Sequence, residues 1–220
     1  MARQDFIPAA RFRFLTPFYD RACSLIGLGT ALRRFELGLL GPLPPGEALE
    51  VGCGTGELLL RMAERYPHTS FTGLDPDAEA LAVSARKFSH AGLRVELKLG
   101  RAETLPFADG RFQLVVSSLM LHHLDRATKL LALHEWRRVL APGGRLLLVD
   151  FGVPRSRLAR LILWPLRFDL FEEQSDNFRG RVPGLLQAAG FDFEEVGVYR
   201  SAVVAYDARP GAGTPGTSSP

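Results

Sequence analysis

The sequence predicts an α/β protein with a doubly wound, mostly parallel sheet that carries helices on both faces. Short apolar strands alternate with segments of helical periodicity from residue 48 onward. A glycine-rich turn at residues 52–56 joins the first of these strands to the first helix. Acidic residues stand at the ends of three strands, at Glu50, Asp75 and Asp150. Open parallel sheets bind ligands beyond the carboxyl ends of their strands, so the same pattern predicts a site.

The stretch from residue 49 to residue 56, which reads LEVGCGTG, is the centre of this pattern. Glycine lets a backbone take positive φ or lets a ligand come close, so a nucleotide-like ligand would contact backbone here. Glu57 stands where a dinucleotide fingerprint has its third glycine, which disfavours a nicotinamide-dependent oxidoreductase. The G-K-[ST] ending of a P-loop is also missing. A plain strand–helix turn stays open as an alternative. The residues of the turn are Gly52, Cys53, Gly54 and Gly56.

Seven apolar runs predict the strands of the sheet. The first five are the run before the glycine turn and residues 70–74, 94–99, 112–120 and 145–150. Residues 94–99 alternate apolar and charged side chains, which is typical of a half-exposed strand near an edge. Residues 141–144, Ala-Pro-Gly-Gly, predict a sharp break before the fifth strand. The last two runs, 191–199 and 201–206, are separated by a tight turn and predict an antiparallel hairpin at the end of the sheet.

The chain divides into a principal domain and flanking segments. We predict an N-terminal helical lid segment at residues 1–47, the domain at 48–206 and a disordered tail at 207–220. The aromatic residues of the first segment form either a lid over a pocket or a helix packed on the sheet. Residues 151–180 interrupt the alternation with arginines among apolar and aromatic side chains. This insertion predicts an α-helical cap over a substrate site. A packed core helix and an interfacial helix on anionic lipid stay open, although Pro165 argues against a long one.

Composition indicates an ordinary globular protein of 220 residues, 46% of them hydrophobic and 23% charged. The net charge is +3 and no block of like charges occurs, so nucleic-acid binding is not indicated. Cys23 and Cys53 are far apart and predict free thiols in a reducing compartment. No secretory signal and no apolar run of membrane-spanning length is present, so a cytoplasmic protein is expected. We expect no metal site.

Asp75 is a candidate ribose ligand. It ends the second strand about 20 residues past the glycine turn, the distance at which doubly wound folds present a carboxylate to ribose hydroxyls. A carboxylate accepts two charge-assisted hydrogen bonds from a cis-diol. Asp75 could also cap the next helix in front of Pro76, and the two roles are compatible. Further polar groups at this edge are Glu50, the 100–105 loop, Ser117, Ser118, His122, His123 and Asp150.

Several motifs together resemble the class I S-adenosylmethionine-dependent methyltransferases in order and spacing. They are residues 50–56, 74–76, 102–107, 121–124 and 138–144. The chain is most similar to the small-molecule subgroup that contains the ubiquinone and menaquinone biosynthesis methyltransferases, and residues 18–20 look like its N-terminal segment. The resemblance covers residues 14–206 and implies a Rossmann-like, seven-stranded sheet. It does not specify the acceptor or the oligomeric state.

The resemblance implies a role for individual residues in binding S-adenosylmethionine. Glu50 and the glycine turn would hold the methionine part, and Asp75 the ribose. Pro76 would flank the adenine, whose pocket Ala102 and Glu103 would line. Ser117 or Ser118 would lie beneath the sulfonium, and Tyr19 would close over the cofactor.

Two positions depart from the family. Arg101, a donor only, stands where the family usually has an aspartate that accepts from the adenine amine. Gln113 replaces another aspartate at the start of the fourth strand, where we expect a structural role. These departures keep open a catalytically degenerate module that binds S-adenosylmethionine or another nucleoside. The Asn/Asp-Pro-Pro-[Tyr/Phe] tetrapeptide of amino-group methylators is absent after the fourth strand, which weighs against adenine or glutamine N-methylation.

The expected activity is therefore methyl transfer to a small, lipophilic or aromatic acceptor. Transfer is an in-line displacement, so the protein mainly aligns the reacting atoms and excludes water. A general base is needed only when the attacking group carries a proton. His122 and His123 are candidates for that base because neutral imidazole accepts protons near neutral pH. A hydrogen-bonded scaffold role for the two histidines stays open.

Overall fold

The computed structural model describes residues 28–162 and 176–211 of the chain. The expectations for Tyr19, Cys23 and Pro165, and for residues 212–220, lie outside the described residues. The helices are α1 Thr30–Leu40, α2 Glu57–Arg65, α3 Ala78–His90, α4 Arg126–Val139, α5 Arg157–Ile162 and α6 Val182–Ala188. The strands are β1 Gly46–Val51, β2 Thr69–Asp75, β3 Glu96–Leu99, β4 Phe112–Ser118, β5 Leu140–Phe151, β6 Phe191–Tyr199 and β7 Val203–Pro210.

The seven strands form one sheet in the order β3-β2-β1-β4-β5-β7-β6. The first five pair in parallel, while β7 pairs antiparallel with both β5 and β6. This architecture confirms the predicted doubly wound sheet with a C-terminal antiparallel hairpin, and β3 is an edge strand as expected. The order reverses between β1 and β4, so a crevice is expected above the carboxyl ends of these two strands.

Successive apolar residues of each central strand point to opposite faces of the sheet and pack into two separate hydrophobic cores. On one face, residues such as Val116 and Leu147 pack with apolar residues of α1, α2 and α3. On the other face, Val115 and Leu148 pack with α4 and α6, around the fully buried Trp136. Burial on both faces explains why the central strands are apolar throughout instead of alternating.

The prediction that residues 141–144 separate the helix from the fifth strand is wrong. Helix α4 ends at Val139, but β5 already begins at Leu140, which pairs with Phe112. The register then shifts before Leu114 pairs with Arg145, so a bulge absorbs the intervening residues. Gly144 is required there, because a Cβ would lie 2.9 Å from the carbonyl oxygen of Ala141.

The hairpin extends further than the sequence predicted. Strand β7 continues through Pro210, which pairs with Phe191, so the strand ends four residues past its predicted end at 206. Asp207 explains part of this extension because it accepts a 2.5 Å hydrogen bond from Arg145 on β5.

Over the described ranges, no helix has the length and apolar character needed to cross a bilayer.

Candidate functional site

The glycine turn lies directly above the carboxyl end of β1. Gly52, Gly54 and Gly56 all have positive φ, at 75°, 52° and 75°. The Gly52 and Cys53 amides donate to the carbonyl oxygen of Leu74, which ties the turn to β2. A Cβ on Gly52 would overlap Met120, whereas a Cβ on Gly54 would meet no heavy atom within 4 Å. The middle of the turn is therefore open toward the crevice while its first glycine is packed.

Glu50 places a carboxyl group beneath this turn, near the end of β1, and is only 3% exposed. Burial raises its pKa to about 8, the Glu36 and Asp75 carboxylates act in the same direction, and Arg33 opposes them. Within the described part of the chain, Oε2 of Glu50 is buried without a hydrogen-bond partner. Buried polar groups are normally paired, so this oxygen marks a place for a cationic donor.

Asp75 ends β2 beside the turn and holds two backbone segments together. Its Oδ2 accepts from the Gly54 amide at 2.8 Å, and its Oδ1 accepts from the Asp77 amide at 2.9 Å. Burial raises the pKa of Asp75, against the effect of these two hydrogen bonds. The helix-capping alternative for Asp75 is wrong: Asp77 caps α3 by accepting from the amides of Glu79 and Ala80. Each Asp75 oxygen keeps a second lone pair, so ribose binding remains compatible with the geometry.

Helix α1 brings two charged residues to the site that the sequence reasoning missed. Glu36 is fully buried, pairs with Arg33 at 2.7 Å and accepts a hydrogen bond from the hydroxyl of Ser118 at the end of β4. Arg33 also donates to that hydroxyl at 2.7 Å. The available signal was position, because Glu36 lies between the buried Leu32 and Leu40 on one stripe of the helix.

Ser117 and Ser118 point to opposite faces of β4 and differ in environment. The Ser118 hydroxyl is engaged by α1, whereas the Ser117 hydroxyl is fully buried and lacks a partner among the described residues. In the 100–105 loop, Ala102 is buried and its carbonyl accepts from the Trp136 indole at 3.3 Å. Arg101 forms an ion pair with Glu103, so the charge that departs from the family pattern is compensated by its neighbour.

Cys53 and Gln113 have structural environments. The Cys53 thiol is buried and free, and a Cβ on Gly73 would lie 2.9 Å from its sulfur. Burial raises the pKa of this thiol far above its ordinary value, which keeps it protonated and unreactive. Gln113 lies at the amino end of β4, away from the site, where its Oε1 accepts from the Glu47 amide at 2.6 Å. The expected structural role of Gln113 agrees with this contact.

His122 and Asp150 form a buried pair above β4 and β5. Nδ1 of His122 lies 2.7 Å from Oδ1 of Asp150, and the His122 amide donates to Oδ2 at 3.1 Å. The Phe151 amide adds a third hydrogen bond to the same carboxylate, at 2.7 Å. Although burial alone would raise the pKa of Asp150, the adjacent His122 and these hydrogen bonds lower it overall.

His123 has a different environment from its neighbour. The two rings lie 4.1 Å apart. Burial, together with positive charge on His122 and Lys129, lowers the pKa of His123 to about 3, against the effect of the Asp150 carboxylate. His122 also packs edge-on against Phe151, which stacks on Phe178. In the ranges that the structure describes, no cluster of three or more His, Cys, Asp and Glu side chains is placed to hold a metal ion.

Comparison with known proteins connects this geometry to a family. Residues 48–144 match the family described as "Methyltransferase domain". The chain is 36% identical over 145 residues to the demethylmenaquinone methyltransferase of Thermus thermophilus, covering 65% of each chain. It is 34% identical over 152 residues to the ubiquinone/menaquinone biosynthesis C-methyltransferase of Geotalea daltonii, covering 66% of this chain and 63% of that one. The chain thus spans somewhat less than two thirds of the length of these relatives.

Solved structures show the same fold. The chain superposes on phosphoethanolamine N-methyltransferase 2 of Haemonchus contortus, solved in complex with S-adenosyl-L-methionine, with a TM-score of 0.67. The match covers 89% of this chain and 46% of that chain, at 18% sequence identity. At this identity the similarity concerns the fold alone.

Proposed function

From the match of residues 48–144 to the methyltransferase domain family, we propose that the protein transfers methyl groups from S-adenosylmethionine to a small molecule. The observation that carries the proposal is the unpartnered Oε2 of Glu50 beneath the open glycine at position 54. A buried carboxylate oxygen with no donor suits the ammonium group of an amino acid. The open space at Gly54 leaves room for the rest of the bound amino acid, beyond its ammonium group.

The other residues around the turn fit the rest of such a ligand. Asp75 is already oriented by two backbone amides, and its remaining lone pairs can accept from ribose hydroxyls. Ala102 presents a small buried side chain next to the Arg101–Glu103 pair, where an adenine would lie. When bound, S-adenosylmethionine supplies an electrophilic methyl group on a sulfonium. The protein's own contribution is to bind and orient both reactants and to exclude water, which is worth about 7–11 kcal/mol of barrier for well-aligned groups.

We further propose that the acceptor is a hydroxylated aromatic molecule of the hydroquinone type. Two observations support this choice. The curated relatives are named for menaquinone and ubiquinone biosynthesis. An aromatic cluster of His122, Phe151 and Phe178 lies above β5, next to the site, and aromatic faces favour flat aromatic ligands.

The alternative of a degenerate binding module rested on Arg101 and Gln113. Gln113 contacts Glu47 at the opposite end of the sheet, so it does not bear on cofactor binding. Arg101 is paired with Glu103, so its charge does not face the adenine region uncompensated. No specific contact in the described residues favours a non-catalytic module.

Calorimetric titration with S-adenosylmethionine, S-adenosylhomocysteine and NADH tests the cofactor assignment. We expect the two sulfur ligands to bind and NADH not to bind. Glu50→Gln should weaken binding by about 2–5 kcal/mol, since it removes one partner of a buried charge pair. Glu64→Gln, which changes an exposed glutamate of α2, is the matched control. Failure of the wild-type protein to bind either sulfur ligand would refute the cofactor proposal.

Methyl transfer to defined acceptors tests the acceptor class separately. The protein is incubated with methyl-labelled cofactor and either 2-prenyl-1,4-naphthohydroquinone, kept reduced, or phosphoethanolamine. Label should enter the hydroquinone fraction. Label in phosphoethanolamine alone would retain the cofactor proposal and reject the aromatic acceptor.

A further inference from the structure

The geometry points to His122, oriented by Asp150, as the general base that removes the acceptor's hydroxyl proton. This inference rests on the proposed function, because it assigns a proton-accepting atom for the same reaction. Hydroquinone-type acceptors need such a base, because the ring carbon becomes strongly nucleophilic only once a neighbouring hydroxyl is deprotonated. His122 is a catalytic residue in this scheme, and Asp150 is a positioning residue.

Asp150 determines which tautomer His122 adopts. The lowered pKa of Asp150 keeps it ionised, and an ionised carboxylate only accepts hydrogen bonds. The nitrogen that lies 2.7 Å from it, Nδ1, therefore carries the proton. Nε2 of the neutral ring is then left with its lone pair. Nε2 is therefore the ring nitrogen that can accept a proton from an acceptor hydroxyl.

The second histidine is excluded by its surroundings. Two imidazolium rings 4.1 Å apart would repel each other, so the pair holds one added proton at most. The Asp150 carboxylate contacts His122 directly, and Lys129 on α4 adds positive charge that acts against protonation of His123. With a pKa of about 3, His123 is too weak a base for the reaction. The proton therefore goes to His122.

The O–H bond of the acceptor breaks, the proton forms an N–H bond at Nε2, and the electron pair stays on oxygen. That pair delocalises onto the adjacent ring carbons, one of which would bond to the methyl carbon as the sulfur–methyl bond breaks and S-adenosylhomocysteine leaves with the sulfur electron pair. The imidazolium that forms is stabilised by the Asp150 carboxylate. The methylated carbon later gives up its own proton to water and Nε2 returns its proton to the oxygen, so one proton is released per turnover.

Nitrogen NMR of the full-length protein labelled with ¹⁵N-histidine, with S-adenosylhomocysteine bound, tests the tautomer without turnover. His122→Gln assigns the resonances. We expect neutral His122 to carry its proton on Nδ1. In Asp150→Asn the new amide can donate to Nδ1, which should shift the proton to Nε2. A wild-type His122 that is protonated on Nε2 would overturn the inference, whatever the activity.

Kinetics with 2-prenyl-1,4-naphthohydroquinone provide the second readout. His122→Gln should lower kcat by about 10²–10⁴-fold and remove the acid limb of the pH profile, with unchanged affinity for S-adenosylhomocysteine. Added imidazole should restore activity to His122→Gly. His134→Gly, at an exposed histidine of α4, is the control that imidazole should not affect. Loss of the acid limb in His123→Gln, with its retention in His122→Gln, would refute the assignment.

The two proposals fail differently. If the sulfur ligands bind but the hydroquinone is not methylated, the acceptor class is wrong and the NMR tautomer decides the role of His122. A proton on Nδ1 then supports a base for another hydroxylated acceptor, and a proton on Nε2 rejects it. If the hydroquinone is methylated and His122→Gln retains full kcat, the function stands and the base assignment falls.

Discussion

The carboxylates above β1 and β2 differ from the carboxylate above β5, although all lie at one edge of one sheet. Glu50 and Asp75 have raised pKa values because the effect of burial outweighs that of Arg33 near Glu50 and that of the backbone hydrogen bonds to Asp75. Asp150 is equally buried, yet its pKa is lowered because His122 and two backbone amides donate to it. Among the described residues, Oε2 of Glu50 has no hydrogen-bond donor, whereas the Asp150 carboxylate already has its partner.

This difference indicates how the two halves of the site contribute to function. A protein keeps an uncompensated buried carboxylate only at a cost in stability, and ligand-binding sites are where such a cost is commonly retained. The β1–β2 half is therefore prepared for a cationic ligand. The β5 half is complete in itself and orients a histidine.

Asp150→Ala should lower the free energy of unfolding by about 3–5 kcal/mol, because it leaves the donors of His122 and Phe151 buried and unpaired. Urea denaturation measures this loss. Asp109→Ala is the control, since Asp109 forms its ion pair with Arg138 at the surface and should cost at most about 1 kcal/mol. Equal losses in both variants would contradict the buried pair.

Glu50→Gln should have the opposite sign and raise the free energy of unfolding of the ligand-free protein by roughly 1–2 kcal/mol at neutral pH. The substitution removes the cost of ionising a buried carboxyl, although the new amide donors remain unpartnered. The same denaturation experiment applies, with Glu64→Gln as the exposed control. A destabilised Glu50→Gln would mean that the carboxyl is already compensated without ligand.

The pH dependence of stability should follow the raised pKa of Glu50. Its folded-state pKa of about 8 exceeds the unfolded value, so the folded state binds an extra proton and loses stability as pH rises toward 8. The window from about pH 7.5 to 8 isolates this effect, because His123 is then largely neutral in the unfolded state as well as in the folded state. Across this window the free energy of unfolding of the ligand-free protein should fall by roughly 1 kcal/mol per pH unit. Thermal melts should show a matching fall in melting temperature. The slope should be flatter in Glu50→Gln, and an equal slope in both proteins would assign the effect elsewhere.

Gly54→Ala should give the smallest loss of stability, about 1 kcal/mol, because its positive φ is strained for alanine while the added methyl group meets open space. Its effect on S-adenosylhomocysteine binding should be larger than its effect on stability. Gly52→Ala is the comparison, since its methyl group would overlap Met120 and destabilise the fold more. Calorimetry and thermal melts separate the two variants, and an unchanged ligand affinity in Gly54→Ala would place the ligand elsewhere.

The fold was predictable because it depends on periodicity and on glycine, both of which are local. The sequence does not predict the role of a side chain when that role depends on its neighbours in space. Asp75 and Asp77 flank one proline, and only the structure distinguishes the residue that braces the turn from the residue that caps α3. Glu36 looks like a surface charge until α1 is docked against Ser118.

The structure brings the predicted polar residues to one edge of the sheet and adds contacts between them that the sequence did not predict. The His122–Asp150 pair joins residues 28 positions apart, and it depends on β4 and β5 being in register. No sequence pattern specifies that register, since a shift by one residue would turn Asp150 to the opposite face. The sequence could therefore indicate both histidines but could not choose between them.

The insertion of β7 between β5 and β6 has a consequence for biosynthesis. Strand β5, which carries Asp150, gains its second neighbour only when residues 203–210 have left the ribosome. Until then its apolar residues 146–149 form an unpaired sheet edge, the kind of surface that invites intermolecular pairing. A nascent chain arrested before Val203 is thus expected to bind chaperones or aggregate, and the His122–Asp150 pair is among the last parts of the domain to become ordered during synthesis.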